Sequence, residues 1–388
     1  MTTARPATVA SHIKFTFTGE QEQFRSAVRR FLTDKSPTTE VRRLMATTEG
    51  YDPAVWRQLS EELSLPGIHI PEQYGGAGFG IVELSIVIEE QGRTLLCAPY
   101  FSTAVLAANA ILNGGAEADK SELLPDIARG KRLAALAITE SDCNWDPASI
   151  RMVATGEGDG YRLDGVKSFV VDGHIADLII VAARIAGSSG REGLALFTTD
   201  ASASGLERRL LESMDATRKI ARIEFRGARA QLLGGIETGA AAISKTLDQA
   251  AIALANEMVG GAQIMLDSAV SYAKLRVQFG RPIGSFQAIK HKLADMLLEV
   301  ELAKSAAYYA AQAAAVEDPE WPALANLAKA GASETYLHAA AECIQIHGGI
   351  GFTWDNDTHL WFKRAKSSEV FLGQPSYHRE LLMQRWGV

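Results

Sequence analysis

The 388-residue sequence predicts an α+β protein in three consecutive blocks: helical over 1–130, a compact antiparallel β block over 131–235, and helical again over 236–388. Three observations carry this reading. Apolar residues recur at helical spacing in the first and last blocks. Between about Leu133 and Leu233 the pattern changes to short apolar or alternating runs, punctuated by turn residues such as 156–160, Asp172-Gly173 and 187–190. No crossover helices separate those runs, which argues against a doubly wound dinucleotide fold despite the glycines.

The elements follow in order. The first dozen residues read as a loose arm. Thr18 and Gln21 form a capping-box pattern, after which Phe24, Val28, Phe31 and Leu32 mark one helix face. Further helices are expected around 52–63, 81–92, 102–112 and 120–128. The glycine-rich stretch 71–80 reads as a turn between helices, because it lacks GxxxxGK[ST] and follows no strand of a βαβ unit. Strands are expected at 133–139, 150–155, 161–171, 178–184, 193–198 and 220–225. After Gly234-Gly235 the chain is Ala-rich and helical to about Ile346, interrupted at 318–322, with a last helix over 358–365. Gly280, Pro282 and Gly284 break the long helical pattern once, and Ser285 is the natural N-cap for the helix that resumes.

Composition narrows the function. Thirty-nine basic against 46 acidic residues give a net charge of −7, with no basic run or aromatic–basic interleaving, so nucleic acid is not the expected partner. No window approaches the roughly 20 uninterrupted apolar residues of a membrane span, and the N-terminus lacks a signal peptide's apolar region. A cytoplasmic location is expected. Cys97, Cys143 and Cys343 are odd in number and show no CxxC spacing, and the eight histidines form no HExxH, so no metal is expected.

The chemistry concentrates at the helix break. Arg276 and Phe279 offer a guanidinium fork and a flat ring, which suit a planar nucleotide with a pyrophosphate. Taken alone they fit equally a helix C-cap and a core aromatic. Two longer segments add to them. Arg276-Val-Gln-Phe279-Gly with Phe286-Gln287-Ala-Ile-Lys-His-Lys-Leu-Ala-Asp-Met296, and then Gln345-Ile-His-Gly348-Gly349-Ile-Gly351-Phe352-Thr353, resemble the two signature regions of the acyl-CoA dehydrogenase family. The order of blocks fits that family along essentially the whole chain.

The resemblance implies an acyl-CoA dehydrogenase-like fold whose last block is a four-helix bundle. It also implies a bound FAD that oxidises an acyl-CoA thioester across its α and β carbons, with electrons passed to an electron-transferring flavoprotein. Arg276, Phe279, Gln287, Gln345, Gly348 and Gly349 match positions that reach across a subunit interface to a neighbour's FAD. Thr139 matches the residue at the flavin pyrimidine edge, and Phe169 lies in the stretch that covers the isoalloxazine.

Departures from the pattern are equally informative. Val171 replaces the Ser or Thr whose hydroxyl bonds flavin N5. Ser141-Asp-Cys-Asn-Trp145-Asp-Pro147 replaces the family's Pro-Gly-x-Gly-Ser loop. Dehydrogenation needs a carboxylate at the α carbon, yet the two positions the family uses are Leu372, in Phe371-Leu372-Gly373-Gln374, and Ala250. Glu257, seven residues beyond Ala250 or about 10 Å along a helix, is the candidate relocated base, and Glu369 is a weaker one. Otherwise the chain is one half of a heterotetramer whose glutamate-bearing homologue completes the site, as in family members acting on bulky sterol-like acyl-CoA thioesters. A homo-oligomer, a family-related flavin monooxygenase or desulfinase, and a non-catalytic FAD-binding subunit are the alternatives.

Overall fold

The computed structural model describes residues 16–388; the expected N-terminal arm lies outside the described residues. Helix α1 (Gly19–Lys35) starts at the capping box, with Gln21 N donating to Thr18 Oγ1 at 3.2 Å and Thr18 N to Gln21 Oε1 at 2.9 Å. Thr18→Ala removes one of these bonds and is expected to cost about 1 kcal/mol, measured as a lower thermal midpoint. Helices α2 (Thr38–Met45), α3 (Pro53–Glu61) and α4 (Ile81–Thr94) follow, then a π-helical run Phe101–Ala107 that continues into α5 (Ala108–Gly114), and α6 (Glu117–Ala128). Stretch 71–80 is a turn, as expected. A Cβ at its Gly76 would lie 2.0 Å from the Ile70 carbonyl oxygen, so only glycine fits that close approach.

The middle block contains β1 (Ala134–Ala137), β2 (Val153–Glu157), β3 (Gly160–Val171), β4 (Leu178–Ile185), β5 (Leu194–Asp200), β6 (Leu206–Leu211) and β7 (Ile220–Leu233). Strands β4, β2, β3, β7 and β5 pair in that order and β5 returns to β4, closing a barrel filled by Leu163, Ile179, Val181, Phe197 and Phe225. The block is not antiparallel throughout, which corrects the sequence reading. β1 and β2 both run parallel to β4 and lie one after the other along the same edge of it. Alternation reveals which face is buried but not strand direction, and the excursion 138–152 restores the chain's heading between β1 and β2. Strand β6 was not expected, because Leu206-Glu-Arg-Arg-Leu-Leu is an edge with no fully buried face.

The last block holds α7 (Ile236–Leu275), a hairpin of β8 (Val277–Gln278) and β9 (Arg281–Pro282), α8 (Gln287–Ala315), α9 (Trp321–His347), α10 (Thr358–Val370) and α11 (Pro375–Trp386). Helix α9 packs against α7, α8, α10 and α11. Ser285 does not cap α8. It ends a 3-10 turn, Phe286 takes the N-cap position in extended conformation, and the buried Ser285 hydroxyl has no partner. One apolar core joins the first and last blocks. There α4 and α7 meet backbone to backbone: a Cβ at Gly92 or Gly260 would lie 2.0 Å from the carbonyl oxygen of Glu257 or Glu89. Among the described residues no helix is long and apolar enough to cross a membrane, and no metal-ligating cluster occurs.

Candidate cofactor and substrate site

Between barrel and bundle, the end of β3 is distorted. The β3–β7 register shifts between Lys167 and Val170, and Phe169 sits at φ 60°. Such a bulge re-aims a side chain, and the strain of a left-handed aromatic residue persists only where its surroundings enforce it. Here they do. Ser168 N donates to the Thr139 carbonyl at 2.9 Å, and the buried Thr139 hydroxyl donates to the Ser168 carbonyl at 2.6 Å. Beneath them the fully buried Lys167 ammonium donates to the Ile138 carbonyl at 2.7 Å and faces Glu140 at 3.3 Å; burial lowers it to about 8.

Phe169, Thr139 and Val171 line a cleft with Trp145 and Phe371, whose rings meet edge to face at 5.4 Å; Phe371 meets Phe101 in the same way at 5.6 Å. The cleft has a volume of about 10 Å³, enough for about one water molecule. A second cavity of about 20 Å³ lies behind it and also borders Val171.

That rear cavity is walled by charge. Arg218 Nη2 donates to both oxygens of Glu257 at 2.5 Å. Arg364 donates to Glu257 at 3.2 Å, to Asp215 at 2.8 Å and to the Thr217 hydroxyl at 2.7 Å. Two guanidiniums thus balance two carboxylates, all buried. Arg218 also lies 5.3 Å and 5.2 Å from the ring centroids of Phe101 and Phe371, within cation–π range of both rings of that edge-to-face pair. Burial favours neutral Asp215, but Arg364 and the Thr217 hydroxyl outweigh it and hold the carboxyl below its ordinary range.

The loop after α10 is fixed just as firmly. Leu372 is buried at φ 62°; His378 Nε2 lies 3.0 Å from its carbonyl oxygen. The Lys329 ammonium, buried on α9, donates to the carbonyls of Ser368, Glu369 and Gly373 at 3.1, 2.9 and 2.8 Å.

Family models settle the relationship: the acyl-CoA dehydrogenase N-terminal, middle and C-terminal domains match residues 18–131, 135–228 and 237–387. The chain belongs to the acyl-CoA dehydrogenase family. Members of this oxidoreductase family are FAD-dependent flavoproteins of lipid oxidation. The chain is 34% identical over 363 residues to acyl-CoA dehydrogenase IpdE2 of Mycobacterium tuberculosis, covering 94% of this chain and 95% of the relative. Its fold matches a Tcur3481–Tcur3483 steroid ACAD variant, with TM-score 0.85, 32% identity and coverage of 95% of this chain and 98% of the other. It also matches the ChsE4–ChsE5 complex from M. tuberculosis, with TM-score 0.86, 27% identity and coverage of 97% and 99%.

The structure places the acyl-CoA dehydrogenase site residues read from the sequence in two separate groups. Thr139, Phe169 and Val171 share the narrow cleft. Arg276, Phe279, Gln287, Gln345, Gly348 and Gly349 are all exposed, on the β8–β9 hairpin, the start of α8 and the end of α9, and none of them lines that cleft. Glu257 does border the rear cavity, but with its carboxylate taken by two guanidiniums; Ala250 is fully buried on α7, and Glu369 pairs with Lys366 on the surface side of α10. Sequence reasoning missed Arg218, Arg364 and Trp145. Glu257 was visible in its apolar helix, but its partners stand 39 and 107 residues away.

Proposed function

We propose that this chain is the base-lacking subunit of a hetero-oligomeric, FAD-dependent acyl-CoA dehydrogenase that oxidises a bulky, steroid-like acyl-CoA. In this reading it lends Arg276, Phe279, Gln287, Gln345, Gly348 and Gly349 to the FAD held by a glutamate-bearing homologue. Electrons pass to an electron-transferring flavoprotein, and the assembly is cytoplasmic.

The observation that carries the reading is the cleft of this chain. At about 10 Å³ it falls far below the ~300 Å³ or more that a buried ligand needs, and the family resemblance assigns the base position to Leu372, which cannot accept a proton. Glu257 is tied to Arg218 and Arg364 at a cavity of about 20 Å³, which leaves no room for a substrate's α carbon to reach it. An α-proton acceptor needs a free lone pair within hydrogen-bond reach of substrate.

Tested against FAD, the two groups of residues differ. The flavin half fits poorly: Val171 has no hydroxyl, the Trp145 indole stands in the cleft, and Asp142 and Asp146 put two carboxylates in the loop that replaces the family's Pro-Gly-x-Gly-Ser, where they would repel a dianionic pyrophosphate. The adenine half fits well, being open, cationic and aromatic. Bound FAD supplies the acceptor for the hydride that leaves the acyl β carbon. The residues of this chain bind and orient its adenine and pyrophosphate end, and the homologue supplies the proton acceptor. Similarity to a steroid ACAD and to a two-protein complex supports the substrate class and the hetero-oligomer.

Purified alone, the chain is expected to be colourless and not to bleach any flavin on anaerobic mixing with acyl-CoA thioesters. Co-expressed with the homologue, it is expected to yield a yellow complex containing one FAD per pair of chains. A yellow, acyl-CoA-reducible protein from this chain alone would overturn the proposal.

A further inference from the structure

Beside Arg276 the β8–β9 hairpin carries a second cation, Arg281, that the family resemblance did not single out. Hairpin β8–β9 pairs Val277 with Pro282 and Gln278 with Arg281, and Ile283 N donates to the Arg276 carbonyl at 2.8 Å. Because side chains alternate across a pleat, Arg276, Gln278, Arg281 and Ile283 share one face, with Val277 and Pro282 on the other. Arg276 and Arg281 are therefore diagonal neighbours, a relation with a typical spacing of roughly 7–8 Å. Two long guanidinium side chains at that spacing can converge on one anion.

The hairpin is built to hold this arrangement. Its turn residues, Phe279 and Gly280, both have positive φ, 53° and 76°, which is the two-residue turn whose twist matches the flanking strands. Phe279 is thereby pushed out to 91% exposure. Arg281 stacks on the Phe286 ring, 4.1 Å from its centroid, and that ring meets Phe279 edge to face at 6.1 Å. Neither Arg276 nor Arg281 has a carboxylate partner among the described residues. Residues 268–294 hold Lys274, Arg276, Arg281, Lys290 and Lys292 without one Asp or Glu, in a chain of net charge −7, and of these Lys292 pairs with Glu342 at 2.6 Å.

We propose that Arg276 and Arg281 form a two-guanidinium clamp that closes on the dianionic pyrophosphate of the dinucleotide held by the neighbouring subunit. Each arginine matches one phosphate charge, and the stacked Phe286 ring holds Arg281 in place of a carboxylate. The inference rests on the lending role proposed above. Pyrophosphate also occurs in coenzyme A, so the test separates the two sources.

In the complex with the glutamate-bearing homologue, Arg281→Met is expected to raise the FAD dissociation constant at least tenfold, read from flavin fluorescence and from FAD retained through gel filtration. Arg276→Met should do the same, and Arg281→Lys should recover only part of the loss, since lysine cannot stack and bridge together. Each methionine variant should flatten the salt dependence of FAD binding. Normal retention in Arg281→Met, with loss in Arg276→Met, overturns the clamp and leaves the lending role standing. Normal retention in both overturns the lending role as well. Weaker acyl-CoA binding with unchanged FAD binding assigns the anion to coenzyme A and also overturns the clamp. Where no complex assembles, calorimetry on the full chain decides: ADP should bind at least tenfold more tightly than AMP, a preference that Arg281→Met abolishes, and equal affinities overturn the clamp.

Discussion

Glu257→Ala is expected to destabilise the folded chain by about 3–5 kcal/mol, because it strands Arg218 and Arg364 as buried cations with one carboxylate, Asp215, left between them. The loss should appear as a lower denaturant midpoint with an unchanged slope. A base reading of Glu257 predicts something else. Removing a base abolishes turnover and leaves stability near that of the parent chain, so activity and denaturation measured on the same variant separate the two roles. A stable Glu257→Ala protein would sink the ion-network account.

Lys329→Met is expected to cost on the order of 3 kcal/mol. It leaves the carbonyls of Ser368, Glu369 and Gly373 without the donor that now serves all three, and buried unsatisfied acceptors cost roughly 1–3 kcal/mol each. Relief from burying the ammonium offsets part of this sum. The pH dependence follows from the same burial, which pushes Lys329 down to about 7 from its ordinary value near 10.5. Between those two values the unfolded chain binds a proton that the folded chain does not, so stability contributed through Lys329 rises as pH increases across the window. Below about pH 7 the full cost of burying the charge is present. Thermal midpoints of the parent chain and Lys329→Met, compared from pH 6 to 9, should therefore diverge with rising pH. Parallel curves would show that Lys329 does not titrate in that window.

Much of the fold was legible because it rests on local rules. The Thr18–Gln21 box, the apolar face of α1 and the break at Gly280 and Pro282 are all decided within a few residues. What escaped depends on partners far away in sequence. The parallel pairing of β1 and β2 with β4 is set by barrel closure, and the edge strand β6 needs β7 to exist at all. At the site, the residues proposed for the adenine end stand out in the sequence because Arg276, Phe279, Gln287, Gln345, Gly348 and Gly349 lie in two short segments. Glu257 was readable as a carboxylate in an apolar helix but not as half of an ion network. Nothing near it announces Arg218 or Arg364, which arrive from the turn just before β7 and from α10. Closure of the cleft likewise comes from Trp145 and Phe371 meeting across 226 residues of chain, the difference between their numbers.

Helix α7 is 40 residues long, so it spans about 60 Å. It touches α4 backbone to backbone at Glu257 and Gly260 and ends at the hairpin that carries Arg276. Those close contacts make a fulcrum, and the 19 residues from Glu257 to Arg276 form a rigid arm of roughly 28 Å. A tilt of about two degrees at the fulcrum would carry the arm's tip roughly 1 Å, comparable to the tolerance within which a cofactor-binding group must be held. In the proposed hetero-oligomer, packing deep inside this chain sets the reach of a guanidinium offered to another chain, and a mutation at Gly92 or Gly260 is then expected to register as weaker cofactor binding next door.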